Sequence, residues 1–278
     1  MKTISAAKSH QGVQGVYAHP SIACACDMTF AVFVPPHEEG RKLPVLWYLS
    51  GLTCTHQNVM DKGEYRRLAA ELGMIVVCPD TSPRGEGVPD EADNWQFGCG
   101  AGFYLDATQA PFSANYRMYT YITDELPALI AREFPADMDR QGVFGHSMGG
   151  HGALTIALRN AERFRSCSAF APIVHPSTAH WSTGAFTNYL GEDLSAWRAY
   201  DTVSLIEDGK RFPEFLVDQG RADTFLENGL QPWLLERACA NAGIPLTLNM
   251  REGYDHSYFF ISTFMDDHLR WHAERLNA

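Results

Sequence analysis

Alternating and unbroken apolar runs divide the chain into strands and helices before any motif is considered. Thr29-Phe30-Ala31-Val32-Phe33-Val34 alternates with period two, as a half-buried strand does, and Pro35-Pro36 ends it. With Val13 to Tyr17 upstream, it predicts a pair of antiparallel opening strands. Lys42 to Leu49 and Met74 to Cys78 are apolar without alternation, the pattern of strands buried on both faces. Val143-Phe144, Cys167 to Pro172, Phe215 to Val217 and Leu246 to Met250 complete the predicted strands. Helical spacing falls between them, at Glu64 to Gly73, Tyr116 to Phe134, Ala153 to Arg159, Pro232 to Ala242 and Tyr258 to Leu276. Pro127 should kink or interrupt the second of these. Strands alternating with helices predict an α/β fold, a mainly parallel sheet with helices on both faces. Two stretches, 81–112 and 173–212, are rich in turn residues and aromatics and read as loop insertions that shape a binding site. No linker or repeat divides the chain, which reads as a single domain over 1–278.

The pattern places one motif in a telling position. Gly145-His146-Ser147-Met148-Gly149 matches G-x-S-x-G, the nucleophile elbow, between the Val143-Phe144 strand and the Ala153 helix. There, glycines let strand and helix pass closely, and the serine stands at a helix start whose free N–H groups favour developing negative charge. The arrangement resembles that of α/β-hydrolases, so that fold is the expectation. A serine hydroxyl needs a base, and the base an orienting carboxylate. On this fold they follow in the order Ser, Asp or Glu, His. Of the histidines beyond the last strand, His268 and His272 fall deep in the closing helix, whereas His256 lies between strand and helix and is the candidate base. His146 is adjacent to the serine but is expected to point elsewhere. Asp218 and Asp223 both follow a late strand; Asp218 suits a turn-securing role and Asp223 can reach back from the loop. An oxyanion hole needs two N–H donors, for which Met148 and Leu52 are candidates, the latter in the Ser50-Gly51-Leu52-Thr53-Cys54 loop.

Composition narrows the setting. A formal net charge of −11 opposes nucleic acid or an anionic membrane as partner. No apolar run approaches a membrane span, and MKTISAAKSHQG lacks the apolar core of a signal peptide. Seven scattered cysteines do not form a disulfide framework, so a reduced, cytoplasmic chain is expected. His175 and His180 lie close in sequence, but without H-E-x-x-H or an acidic partner cluster they predict no metal site.

Longer stretches carry a resemblance. SGLTCT (Ser50 to Thr55), GAGFYLDATQAPF (Gly100 to Phe112), YRMYTYITDELP (Tyr116 to Pro127), GHSMGGHGAL (Gly145 to Leu154), DQGRAD (Asp218 to Asp223) and GYDHSYFFI (Gly253 to Ile261) are similar to S-formylglutathione hydrolases, the esterase-D-type serine hydrolases. The resemblance implies Ser147, Asp223 and His256 as triad, Leu52 and Met148 at the oxyanion hole, no cofactor, and a cytosolic enzyme that is often a homodimer. It implies cleavage of S-formylglutathione, with activity on small activated esters. It also suggests a non-catalytic Cys54 near the site whose alkylation blocks access. Trp181 and Phe103 are expected to wall a narrow acyl pocket, with Trp95 beside it. Two departures stand out: Gln96 where W-D-F-G is common, and Gly184 where a longer polar or basic residue is frequent. A general carboxylesterase or acyltransferase on the same scaffold, or a non-catalytic binding protein, would share much of this pattern. Lys62, Arg84 and Arg221 are candidate cations for an anionic substrate.

Overall fold

The computed structural model describes every residue except Ala92. Its frame is a nine-stranded sheet in the order β1-β2-β3-β5-β4-β6-β7-β8-β9. Strands β1 (Lys2–Ser9), β2 (Gly12–Ser21) and β3 (Cys26–Val34) run antiparallel, and β3 pairs antiparallel with β5 (Ile75–Pro79). From β5 onward, β4 (Leu43–Leu49), β6 (Ala136–His146), β7 (Phe164–Phe170), β8 (Phe215–Gly220) and β9 (Leu246–Arg251) are all parallel. Every residue of β4 and β5 is buried, as their unbroken apolar runs require. β1 was not expected. Its sequence is polar and small, and all but its last residue are exposed, so no burial pattern marks it; only pairing with β2 holds it.

The helices are α1 (His56–Lys62), α2 (Arg66–Leu72), α3 (Met118–Thr120), α4 (Leu126–Glu133), α5 (Met148–Arg159), α6 (Thr183–Leu190), α7 (Leu194–Arg198), α8 (Thr202–Glu207), α9 (Pro232–Ala242) and α10 (Tyr258–Leu276). α2 and α10 pack together on one side of the sheet, and α5, α8 and α9 form a layer on the other. Two expectations change. The helix around Pro127 is broken one turn early, by a π turn at Tyr121–Glu125 between α3 and α4. A widened turn absorbs the hydrogen bond that proline cannot donate. The 173–212 stretch is not loop but carries α6, α7 and α8, capped at Asp193 and Asp201. Its helices are short and mark no clear period, which is why the sequence reads as loop. The 81–112 stretch does run without strand or helix until a 3₁₀ turn at Phe112–Ala114, Ala92 apart.

The parallel register sets the ends of the central strands side by side. Leu49 pairs with Gly145, His146 with Phe170, Phe170 with Asp218, and Gly220 with Arg251. The loops leaving β4, β6, β8 and β9 therefore emerge along one edge, flanking the switch point where the chain moves from β5 on one side of β4 to β6 on the other. Ligands in open α/β sheets bind at this edge.

Candidate active site

The elbow sits where β6 turns into α5. Ser147 has φ 58° and ψ −118°, a left-handed conformation that non-glycine residues avoid. The close approach that forces it is measurable. A Cβ on Gly149 would lie 1.9 Å from the Leu49 carbonyl oxygen, and one on Gly145 would lie 2.3 Å from that of Gly149. Neither position accepts any other residue. The Ser147 N–H donates to Phe170 O (3.0 Å), which holds the strained turn, and its side chain does not cap α5. The hydroxyl is thus left over for chemistry, at the positive end of a twelve-residue helix.

His256, in the turn between β9 and α10, faces the same cavity as Ser147. Its Nδ1 donates to Asp223 Oδ2 over 2.5 Å. Asp223 is buried, held by Gln219 Nε2 (3.2 Å), while its other oxygen accepts the Phe225 N–H (2.8 Å). An ionised carboxylate on Nδ1 fixes the tautomer and leaves Nε2 as acceptor. Asp218, the other candidate, is turned away: it is buried between Arg251 Nε (2.7 Å) and Asn249 Nδ2 (2.7 Å). Burial pushes its carboxyl up, but His268, Arg251 and Asn249 together hold it below the ordinary range. His268 and His272 are fully buried in α10, hydrogen-bonded to Ser168, and do not line the cavity that Ser147 and His256 share.

His146 corrects an expectation. It does not point away but lines the cavity, its ring centroid 4.4 Å from that of His256. Both ring nitrogens are buried without a hydrogen-bond partner among the described residues, and burial, with His256 beside it, pushes its pKa well below the ordinary value. His256 is therefore wedged between a neutral imidazole and the Phe225 ring (5.1 Å). Phe225, Asn58 and Tyr258 also line the cavity; Phe225 and Asn58 fall outside every quoted motif, and Tyr258 lies within GYDHSYFFI without having been singled out.

The loop after β4 provides the opposite wall. Leu52 N–H makes no hydrogen bond among the described residues, and Met148, first residue of α5, has an N–H without an intrahelical acceptor. The loop is firmly braced. Thr53, at φ 64°, donates its N–H to Gly100 O (2.9 Å). The Cys54 carbonyl accepts from Thr81 Oγ1 (2.5 Å) and from Arg84 Nη2 (3.0 Å), and Arg84 grips Asp80 at 3.0 Å. Burial pushes the Asp80 carboxyl up, against the pull of Arg84. Arg84 is thus committed to the protein's own carboxylate. Arg221 is paired with Glu252, and neither it nor Lys62 lines the cavity.

The cavity measures about 380 Å³ and holds Cys54, Trp95 and Trp181 on its walls. Phe103 is not among them. It is fully buried, packed on Phe186 (5.8 Å) and His151 (6.0 Å), because the 100–105 segment turns into the core beneath α5 instead of over the site. The two departures in sequence meet in space: a Cβ on Gly184 would sit 3.9 Å from Gln96 Oε1. Among the described residues no group of three His, Cys, Asp or Glu side chains is placed to hold a metal, and His175 is bonded to Asp201.

A strained serine on an elbow, an aspartate-bound histidine across the cavity, and a sheet of this topology define a serine hydrolase of the α/β-hydrolase fold. The putative esterase family matches residues 21–271. The chain is 53% identical to the S-formylglutathione hydrolase of Paracoccus denitrificans, over 99% of its length and 98% of that protein's. It is 50% identical to the mouse enzyme of the same name, with 100% and 99% covered. A solved S-formylglutathione hydrolase from Agrobacterium tumefaciens superposes with a TM-score of 0.98 at 66% identity, covering 99% of this chain and 100% of that one. The chain belongs to the esterase family of S-formylglutathione hydrolases.

Proposed function

We infer that the chain is a thioesterase that hydrolyses S-formylglutathione to formate and glutathione, the terminal step of glutathione-dependent formaldehyde removal. The observation that carries the chemistry is the shared cavity of Ser147 and the Asp223-bound His256. Full-length relatives of that name supply the substrate. His256 Nε2 takes the Ser147 proton as Oγ attacks the formyl carbon. Asp223 holds the imidazolium that forms, and the N–H groups of Leu52 and Met148 receive the oxyanion. The C–S bond breaks, and the proton on His256 passes to the departing sulfur. Water, deprotonated by His256, then releases formate from the formyl-serine. Removing one oxyanion donor in such sites costs on the order of 100-fold to 1,000-fold in turnover.

The cavity, much larger than a formyl group needs, favours a side activity on small activated esters. We read 1–278 as one catalytic domain whose stretches at 81–112 and 173–212 shape substrate access. In this reading it works as a cytoplasmic homodimer and requires no cofactor; no helix among the described residues is long and apolar enough to cross a membrane. Steady-state hydrolysis of S-formylglutathione, compared with a p-nitrophenyl ester of matched acyl length and with Ser147→Ala, tests the assignment. Preference for the thioester, with Ser147→Ala silent on both, is expected. A preference for the ester would make the chain a general carboxylesterase. Sedimentation at micromolar concentration tests the dimer.

A further inference from the structure

A second cavity of about 630 Å³ opens on the far side of Trp181 and Phe225, residues that line the catalytic cavity as well. The two rings meet edge to face at 6.0 Å and form a shared wall. Beyond it stand Thr178, His180, Thr224, Glu227, Asn228 and Gln231. The segment bearing most of these is anchored to the chemistry, since Asp223 Oδ1 accepts the Phe225 N–H that begins it. It continues as a π turn, Leu226–Leu230, pressed so tightly on Trp181 that a Cβ on Gly229 would lie 2.4 Å from the indole. This wall is therefore a rigid extension of the catalytic site.

The chemistry of the cleft is selective. It offers one carboxylate, two side-chain amides, two hydroxyls and one imidazole, and no lysine or arginine lines either cavity. The Glu227 carboxylate has no hydrogen-bond or ion-pair partner among the described residues and is exposed. Such a surface repels carboxylates and receives a peptide-like group through an ammonium and amide hydrogen bonds. The acyl part of the substrate is a single carbon, so the leaving thiol must fill whatever lies beyond the reacting centre. Glutathione carries one ammonium, at its γ-glutamyl end.

We propose that this cleft is the leaving-group subsite and that Glu227 binds the γ-glutamyl ammonium, while Asn228 and Gln231 meet the peptide amides. The proposal rests on the thioesterase reading above and adds how a strongly acidic protein selects an anionic tripeptide: by its one positive group, not by its carboxylates.

The test compares wild type and Glu227→Gln on three substrates: S-formylglutathione, its N-acetylated form, and p-nitrophenyl formate. For an exposed charge pair the expected rise in KM for S-formylglutathione is about threefold to fivefold, larger at low salt. The kcat/KM ratio between S-formylglutathione and p-nitrophenyl formate should fall by the same factor. N-acetylation should reproduce the loss in wild type and add nothing in Glu227→Gln. Equal KM in both proteins, or a penalty for N-acetylation that survives in Glu227→Gln, overturns the subsite. Wild type that cleaves p-nitrophenyl formate but not S-formylglutathione overturns the thioesterase reading itself, and the subsite with it.

Discussion

The residue types of a serine triad meet again away from Ser147, at Asp201. His256 Nδ1 bonds Asp223 at 2.5 Å, and His175 Nδ1 bonds Asp201 at 2.8 Å. Each carboxylate is buried, and the imidazoles are similarly exposed, at 19% and 22%. The second pair even has a serine, Ser177, whose Oγ lies 3.3 Å from His175 Nδ1. The difference lies in where the hydroxyl stands. Ser177 approaches the nitrogen already committed to the aspartate, and its own proton goes to Asp201 Oδ2 at 2.5 Å. No base faces it. Asp201 also accepts the N–H groups of Ser177 and Ser204 and so caps α8, which makes the cluster a clasp for the 173–207 segment. Ser147 instead is held at φ 58° at the start of α5, its hydroxyl not spent on capping that helix and His256 across a cavity. Residue types and hydrogen bonds do not make a nucleophile; a strained turn and a free ring nitrogen do.

The largest effect that could break this contrast is Asp223→Asn. The amide would present a donor to Nδ1, move the ring proton to Nε2 and leave Ser147 without a base. A fall in kcat of about 10,000-fold is expected, with the fold intact by circular dichroism. A loss under tenfold would mean that Asp223 does not orient the base. The matching change, Asp201→Asn, should act on stability instead. Breaking a buried, multiply bonded carboxylate costs about 3–5 kcal/mol, a drop in Tm of roughly 5–15 °C for a chain of this size. The folded fraction should keep its kcat. A catalytic collapse with an unchanged melt would overturn the clasp reading, as would fluorophosphonate labelling at Ser177.

Acid sharpens the comparison next, because His146, His151, His268 and His272 are among the buried histidines. Burial lowers all four, His151 to about 4. In the unfolded chain a histidine titrates near 6.5. Below that pH the unfolded state takes protons that the folded state refuses, so stability is full above about 6.5 and lost as pH falls toward the folded values. For His151 alone the loss is on the order of 3 kcal/mol by pH 4. Urea midpoints should decline from pH 7 to pH 4.5, and His151→Gln should flatten part of that slope. A midpoint constant across this range would exclude the effect.

The fold was legible in sequence wherever burial writes a period. The runs at Lys42 to Leu49 and Met74 to Cys78 became central strands because both faces are covered. β1 and the helices α6 to α8 were not legible: the first buries almost nothing, and the others are each too short to show a repeat. In the site, Ser147 and His256 could be chosen because chain order on this topology restricts each to one loop. Order alone left Asp218 beside Asp223, and loop placement with the resemblance favoured the latter. Side-chain direction could not be read. Phe103 and Trp181 are both aromatics in irregular stretches, yet one turns into the core and the other onto the cavity. His146 was misjudged for the same reason. Its neighbour along the chain is Ser147, but its neighbour in space is His256.

The smallest expected effect concerns Cys54, which lines the cavity two positions beyond Leu52. Unlike Ser147, it has no base, and burial raises its thiol pKa, with Lys62 opposing only in part. It is therefore a protonated thiol near neutral pH and a poor nucleophile. Its backbone, by contrast, matters, since the carbonyl is the point at which Thr81 and Arg84 brace the loop bearing Leu52 N–H. Cys54→Ser preserves that backbone, so kcat should change by less than about threefold. Maleimide should inhibit the parent chain slowly, by bulk, and should leave Cys54→Ser unaffected. Inhibition that persists in Cys54→Ser would transfer the effect to another thiol, with Cys99, bonded to Arg84 Nη1 at 2.8 Å, first in line. A dead but folded Cys54→Ser would instead require the sulfur in the chemistry, and the contrast between a prepared oxygen nucleophile and an idle thiol in one cavity would fail.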